Sequence, residues 1–486
     1  MKKVLIYICA IAVMIAVAAS GRVGAQSLYN DVEYHSFRSP VSTRLNPAAF
    51  PDNSKFYITF PRTSIGVSLP FSYNDIGFKY DEKEDRTIIN LNNFINNLTD
   101  ENGNTSLRLG LNIEYEMFGL GFKVKNLVNV NYALGLRFSG ALTIPLNVLH
   151  LVTEGNMGEN SELEFGTKNL ARFQAYIYNS VGVAMKIPQT DATVGARFNL
   201  LQGAQIISVD NLSLKLTTDS VQSQWRISAD YLARAAGMFN FMPDTSGQFQ
   251  IIKEGAKWNN YFPQNFGFTF DLGAKYEYKD FVFSASVLDI GPGVRWTQNP
   301  AKLSHKNDHS VTFRGIDIEP LISNGRFDDS AAAFGNMLVD SLGLFDTAWS
   351  QKSFWCPVPT RLYLGASYSL KSYLRFGVLF HGEWNPKFRQ NTLLSVHFNL
   401  FDWLELTAGN SFTFNGKKPD FFSPSVSASL NIGRVFHLFF TLDYISDFYL
   451  SDLKAFHFYF GASIVGYTRP KRIDYSSQGS IKLEVE

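Results

Sequence analysis

From Phe266 to Tyr278 the chain alternates without a break. Phe266, Phe268, Phe270, Leu272, Ala274, Tyr276 and Tyr278 fall on one register, and Gly267, Thr269, Asp271, Gly273, Lys275 and Glu277 on the other. Side chains on a strand point alternately to opposite faces, so this is one long two-faced β-strand in which every second residue demands apolar surroundings. The pattern recurs. Leu362, Leu364, Ala366, Tyr368 and Leu370 oppose Arg361, Tyr363, Gly365, Ser367 and Ser369, and Leu374, Phe376, Val378, Phe380 and Trp384 oppose Arg375, Gly377, Leu379, His381 and Glu383. Leu394, Val396, Phe398 and Leu400 likewise oppose Ser395, His397 and Asn399. The apolar register of these segments carries no Asp, Glu, Lys or Arg, while the intervening register carries several. That face cannot lie in water.

A soluble β-sandwich has an equally charge-free inner face. Three features favour a membrane-spanning barrel instead. Segments of about ten residues suit a tilted strand crossing a bilayer, whereas ordinary strands average ~5 to 6. Two-residue links at Lys279-Asp280, Lys371-Ser372, Asp402-Trp403 and Gly433-Arg434 alternate with long connections, as in barrels with short periplasmic turns and longer outer loops. No Pro/Ser-rich linker divides the chain into sandwich-sized pieces. Unpaired backbone groups in hydrocarbon cost several kcal/mol, so the sheet must close.

Composition agrees. Phe, Tyr and Trp make up 15% of residues and charged residues only 18%, against a typical ~25% charged. A mean hydropathy of −0.07 is too polar for a bundle of membrane helices. With 44 Lys and Arg against 43 Asp and Glu, the net charge of +1 points to no nucleic-acid partner.

Lys2 and Lys3 precede an apolar run from Val4 to Ala19 and a small-residue Val23-Gly24-Ala25 site, the pattern of a signal peptide over residues 1–25. Cys9 leaves with it, so only Cys356 remains and no internal disulfide is available. The expected organisation is a plug-like segment over 26–61, an outer-membrane barrel over 62–468 and a periplasmic tail over 469–486. The N-terminal half alternates less cleanly, with candidate strands at 107–115, 118–124, 132–142, 173–185, 194–200, 206–216 and 221–231. The expectation is an all-β transmembrane antiparallel barrel of roughly 14 strands, with 16 as the competing count, since such barrels have even strand numbers.

Residues 44–51 read Arg-Leu-Asn-Pro-Ala-Ala-Phe-Pro. Asn46-Pro47 fits a turn leading into the first strand, because Asn bonds nearby backbone and Pro fixes its own φ. This element, placed soon after the signal, resembles the N-terminal segment of the long-chain fatty acid transporter (FadL) family and the shuttle barrels of type IX secretion. A closer resemblance is to an uncharacterised group of outer-membrane β-barrels that share a start like Ser36–Pro40 with Leu45–Ala48, and an element like Val287–Gly291 with Trp296. The resemblance implies a plug at Asn46, Pro47 and Ala48 and a small hydrophobic ligand that binds in the barrel or passes through it. The alternative is a surface scaffold whose loops hold a protein partner.

Asp289-Ile290-Gly291-Pro292-Gly293 reads as a strand end with a forced reversal. Beyond it, 291–359 is the longest irregular region, with an amphipathic stretch at 331–345 that suits a short helix. An insertion over 234–263 carries Phe239, Phe241 and Trp258, apolar enough to line a greasy pocket. Asp271, Lys275, Glu277, Arg361, Arg375, His381, Glu383 and His397 are expected to face the lumen, as are His437 and His457. His305 and His309 are four apart, which suits a metal only on a helix or in a tailored loop. No nucleophile elbow or phosphate-binding loop is present, so no enzyme, cofactor or metal is expected, and the only other partner is outer-membrane lipid.

Overall fold

The computed structural model describes residues 31–36, 39–69, 71, 78–81, 86–89, 106–125, 127–145, 162–219, 224–243, 249–252, 264–305, 311–313, 348–384, 388–400, 403–415, 418–433, 435–443 and 455–467. The expected signal peptide, tail, 331–345 helix and Trp258 lie outside these residues.

Fourteen antiparallel strands close into a barrel. Strand β1 is built from two pieces, Ser54–Thr59 and Arg62–Ser68, interrupted where Pro61 has no N–H to give. Then follow β2 (Ser106–Val124), β3 (Val128–Pro145), β4 (Glu162–Lys186), β5 (Ala192–Asp219), β6 (Phe266–Tyr278) and β7 (Phe281–Trp296). The second half comprises β8 (Thr360–Lys371), β9 (Leu374–Trp384), β10 (Phe388–Leu400), β11 (Leu404–Asn415), β12 (Lys418–Ile432), β13 (Phe436–Asp443) and β14 (Ala455–Tyr467). Strand β1 pairs with β2 on one side and β14 on the other, Ile58 facing both Leu120 and Ile464, and this closes the ring.

The wall begins at Ser54, so residues 54–61 belong to the barrel and not to the plug as expected. The uneven count in the N-terminal half also has a cause. Segments 107–115 and 118–124 are one strand with a bulge between Glu116 and Phe118, and 194–200 and 206–216 are both β5. The segment expected at 221–231 is the strand Gln224–Gly237, which pairs with the far half of β5 and not the near half. The near half of β5 pairs with β6, so the sheet forks beside Gln202 and Gln205. Strands Ala301–His305, Val311–Phe313 and Ala348–Ser350 continue the far branch.

The outward register is apolar and exposed: Phe266, Phe268, Phe270, Leu272 and Tyr276 on β6, Phe198 and Leu200 on β5, Leu394 and Phe398 on β10. Rings of Phe198, Phe268 and Phe270 pack against one another on this surface. Aromatic and aliphatic groups left in the open around a closed sheet form an apolar outer belt, the surface that a membrane-spanning barrel presents. Among the described residues no helix is long and apolar enough to cross a membrane.

Candidate functional site

The described residues of 31–53 pack against the inward face of the barrel, and nearly all of them are buried. They form a short 3-10 turn (Val32–His35), one turn of α-helix (Ser42–Leu45) and the Asn46-Pro47 turn. Asn46 does two jobs. Its Oδ1 accepts from the Ala48 N–H at 2.9 Å, which makes the turn, and its Nδ2 donates to the carbonyls of Ala274 (3.2 Å) and Ala285 (3.4 Å) on β6 and β7. The wall makes room with glycine: a Cβ at Gly273 would lie 2.2 Å from Asn46 Oδ1, and one at Gly195 would lie 2.6 Å from the Pro47 carbonyl. The Asn46–Ala48 element is thus both a turn and a wedge against the wall.

Along β5 the lumen changes layer by layer, since alternate residues share a face and step ~6.6 Å. Gly195 meets Pro47, Arg197 grips the plug backbone, Asn199 bonds Ser180 and Thr269, and Leu201 enters an apolar layer. Arg197 Nη1 and Nη2 each donate at 2.9 Å, to the Thr43 and Arg44 carbonyls. Its Nε donates to Asp271 Oδ2 at 2.6 Å, and Asp271 Oδ1 accepts from the Asp289 N–H at 2.6 Å.

Asp289 corrects the expectation of a strand end. Strand β7 runs through it to Trp296, but two residues of β6 face three of β7 twice in succession, at Leu272/Phe270 and Phe270/Phe268. Such bulges re-aim side chains. Asp289 takes φ of 59°, a conformation that Asp tolerates better than most residues. Leu288 and Asp289 therefore both point inward. The Asp289 carboxylate accepts from Arg137 Nη1 at 3.2 Å and from Arg361 Nε at 3.2 Å. Arg137 also donates to Glu114 at 3.0 Å, Glu114 pairs with Arg44 of the plug at 3.5 Å, and Arg44 lies 3.3 Å from Glu116, which holds Arg62. A continuous chain of ion pairs thus links the bulge in the wall to the plug and returns. It encloses a cavity of only about 50 Å³, lined by five guanidiniums and four carboxylates.

The other side of the lumen holds the plug mainly with hydroxyls, imidazoles and a carbonyl. Glu33 accepts from the Ser427 and Thr441 hydroxyls, Asp31 Oδ2 sits 2.9 Å from His381 Nδ1, and His35 Nε2 donates to the Val378 carbonyl at 3.2 Å. Burial, reinforced by the nearby Glu405 and Asp443 carboxylates and opposed by the two hydroxyls, raises Glu33 to about 7. Burial lowers His35 to about 4, keeping that ring neutral.

Next to the ion pairs, on the long-strand side, Tyr176, Leu201, Ile206, Val294, Trp296 and Val358 form an apolar layer. Here the wall is interrupted. Strand β7 pairs with β8 as far as Leu288 opposite Arg361 and resumes at Val294 opposite Cys356. The intervening Pro357 and Pro359 have no N–H to offer a ladder. Gly293, with φ of 76°, lets the backbones touch there, since a Cβ would lie 2.2 Å from the Cys356 carbonyl.

The structure treats the expected lumen residues unequally. Arg375 touches the plug directly, at the His35 carbonyl (2.9 Å) and Asp52 (3.0 Å), as does His381 at Asp31. Asp271 and Arg361 act one link away. His397 is satisfied by Ser395 and Thr407 hydroxyls. Lys275 pairs with Glu277, which is half exposed near the Lys279–Asp280 turn, and Glu383 lines a separate small hollow with Arg108, Arg172 and Arg389. Phe239 is exposed and not part of the apolar layer, and Phe241 lies in a hairpin of Asn240–Pro243 with Phe249–Ile252. His305 is buried and stacks on Tyr231, and His309 lies outside the described residues. Sequence reasoning passed over Arg44, Arg62, Glu116, Arg137 and Arg197. Their signal is a charge in mid-strand on the polar register, or within the plug.

Residues 47–443 match a family described as a family of unknown function (DUF5723). No curated protein matches the chain. Among solved structures, the toluene transporter TbuX of Ralstonia pickettii is 10% identical, with 88% of this chain and 92% of that chain covered and a TM-score of 0.36. A FadL homologue of Pseudomonas aeruginosa is 12% identical, covering 93% and 97% at a TM-score of 0.37. The translocator domain of the autotransporter NalP from Neisseria meningitidis is 6% identical, covering 85% and 89% at 0.28. Likeness this low carries no argument about cargo.

Proposed function

The chain belongs to the DUF5723 family of unknown function, and we propose that it is an outer-membrane barrel that binds or passes a small hydrophobic molecule, with residues 31–53 as its plug. The observation that carries this reading is the apolar layer at Trp296. A lumen that only fills space with hydrogen-bonded polar groups needs no such layer, and this one lies where the ladder between β7 and β8 is interrupted. The same bulge is tied through Asp289, Asp271 and Arg197 to the plug backbone. Withdrawal of the plug removes the two carbonyl partners of Arg197 and loosens the wall beside the layer. The short turns face the periplasm and the long strands the outside. Lipid is the partner of the outer belt, and Asn46, Pro47 and Ala48 form the moving wedge.

A surface scaffold is the second reading, favoured by the 25 residues of β4 and 28 of β5, against the ~9 to 11 a membrane crossing needs. That excess builds a sheet standing clear of the membrane, on which a protein partner can rest.

Titration of the purified barrel with N-phenyl-1-naphthylamine, a hydrophobic fluorophore, tests the first reading. Saturable binding is expected, and Leu201→Asp or Val294→Asp abolishes it by placing a charge in the layer. No saturable binding even after Arg197→Gln has released the plug sinks this reading and leaves the scaffold. Recovery of the protein in the soluble periplasm refutes the location.

A further inference from the structure

At the seam where the barrel closes, three consecutive strands place Asp443 (β13), His457 (β14) and Ser64 (β1) in one buried row. His457 pairs directly with Asp443 across the β13–β14 ladder, and the register of β1 on β14 brings Ser64 diagonally beside it. Asp443 Oδ2 lies 3.4 Å from His457 Nδ1, and His457 Nε2 lies 2.7 Å from Ser64 Oγ. With Nδ1–H donating to Asp443, Nε2 accepts from the serine hydroxyl. This is the nucleophile, base and orienting carboxylate of covalent acyl transfer, recognised by geometry and not by order in the chain. The 3.4 Å contact is long, as such bonds often are before substrate binds. His397 supplies the contrast: hydroxyls of Ser395 and Thr407 flank both its nitrogens, and no acid orients it.

Ser64 is placed to act, because it lines the ion-paired cavity together with Tyr459, whose hydroxyl accepts from Arg62 Nη1 at 3.0 Å and keeps its own proton to donate to a developing oxyanion. Tyr176 and Leu201 line the same cavity and belong to the apolar layer, so once the plug has left the cavity of about 50 Å³ open, an acyl chain can extend from Ser64 toward that layer. Plug residues Val41, Arg44 and Leu45 cap it.

We propose that Ser64, His457 and Asp443 form a serine acyl-hydrolase site for carboxylic esters with an apolar acyl chain, uncovered when the plug withdraws. The proposal rests on the gating reading above. Ser64 Oγ bonds to the acyl carbon as its proton passes to His457 Nε2. That proton then goes to the alcohol as the ester C–O bond breaks. A water molecule repeats the sequence on the acyl-serine, releasing the acid and restoring the Ser64 hydroxyl.

The full-length protein in detergent, treated with a dodecyl fluorophosphonate, tests this, with Ser64 modification read by peptide mass. Arg197→Gln is used to loosen the plug, and maleimide labelling of Ala48→Cys in a Cys356→Ser background reports its release. Heat-modifiable gel mobility confirms that each variant is folded. An adduct is expected at Ser64, absent in Ser64→Ala and formed about 10²–10⁴-fold more slowly in His457→Gln, the usual contribution of a positioned base. Turnover of p-nitrophenyl decanoate is expected to follow the same order. A released plug with Ser64 unmodified, or a labelling rate indifferent to His457→Gln, overturns the site and leaves gating intact. A plug that stays shut, with Ser64 unmodified, overturns gating and this proposal with it.

Discussion

The two sides of the lumen hold the same plug by different chemistry. On β2, β3 and β5 to β8 the wall carries guanidinium–carboxylate pairs, Arg137 with Glu114, Arg197 with Asp271 and Arg361 with Asp289, and it reaches the plug through Arg197 on the Thr43 and Arg44 carbonyls and through Glu114 and Glu116 on Arg44. On β9 to β13 the partners are chiefly hydroxyls, imidazoles and a carbonyl, Ser427 and Thr441 on Glu33, His381 on Asp31 and Val378 on His35, with Arg375 adding a charged contact to Asp52 at the far end of the plug. A buried ion pair that loses one member leaves an uncompensated charge, whereas a neutral hydrogen bond contributes only ~1 kcal/mol. The plug is therefore clamped near Thr43–Asn46 and latched at Val32–Ser36. Release is expected to begin at the latch and pivot about the clamp.

The clamp breaks most severely at Asp289. Asp289→Asn keeps a residue that tolerates the positive φ but removes the charge between Arg137 and Arg361. Stripping one partner from a buried ionic cluster costs about 3–5 kcal/mol. A fall of that size in the urea-unfolding free energy of the detergent-solubilised barrel is expected. An unchanged midpoint would show that the ion pairs do not clamp.

The latch has a pH dependence that the clamp lacks. Glu33 docked in the lumen sits at about 7 against an ordinary 4.5, so the docked state holds its proton more tightly than the released state. The Glu33 contribution is thus fully present below about 4.5 and is lost as pH rises through about 7, whereas His35, lowered to about 4 in the same segment, contributes in the opposite sense and is common to the Glu33→Gln control. At 1.36 kcal/mol per unit the loss is on the order of 3 kcal/mol. Maleimide labelling of Ser39→Cys is expected to rise more than a hundredfold across that window beyond the rise in Glu33→Gln, which corrects for thiol ionisation. Labelling of Ala48→Cys at the clamp should not change in this way. Equal pH dependence at both positions would dissolve the distinction between latch and clamp.

The apolar outward face was legible from the sequence because Phe266 to Tyr278 states a solvent preference at every residue. The identity of the Asn46–Ala48 wedge was half legible, since Asn-Pro signals a turn but not the wall it presses on. The clamp was not legible. Arg197 and Asp271 are partners only because β5 and β6 pair in one register, and Asp289 turns inward only because β7 carries two bulges. Periodicity reads Asp289 as a strand end, because a bulge and a terminus share the same Gly and Pro punctuation. The row of Ser64, Asp443 and His457 was hidden for a further reason: Ser64 joins the other two only by barrel closure, a contact 393 residues apart in sequence.

Close packing at the clamp provides a gentler break. At Gly273→Ala the new methyl must displace Asn46 Oδ1 or Pro47 Cδ, 2.2 and 2.8 Å from it. Overpacking of this kind costs about 1–3 kcal/mol. The wall is otherwise untouched, so the strain is expected to appear as greater Ala48→Cys labelling with no change in unfolding of the barrel. A lowered unfolding midpoint with a protected Ala48→Cys would place the strain in the sheet and count against Asn46 as a displaceable wedge.

The smallest effect comes from Ser427→Ala, and its sign discriminates. Losing one neutral hydrogen bond weakens the latch by ~1 kcal/mol at low pH. The hydroxyl also favours the charged form of Glu33, so its removal moves Glu33 further up. Labelling at Ser39→Cys should consequently depend more steeply on pH in Ser427→Ala, whereas Glu33→Gln removes the Glu33 part of the dependence. Two substitutions on either end of one hydrogen bond thus push the pH response in opposite directions. A shallower response in Ser427→Ala would mean that Glu33 is not the titrating group, and the latch would then have to be sought among the imidazoles that surround it.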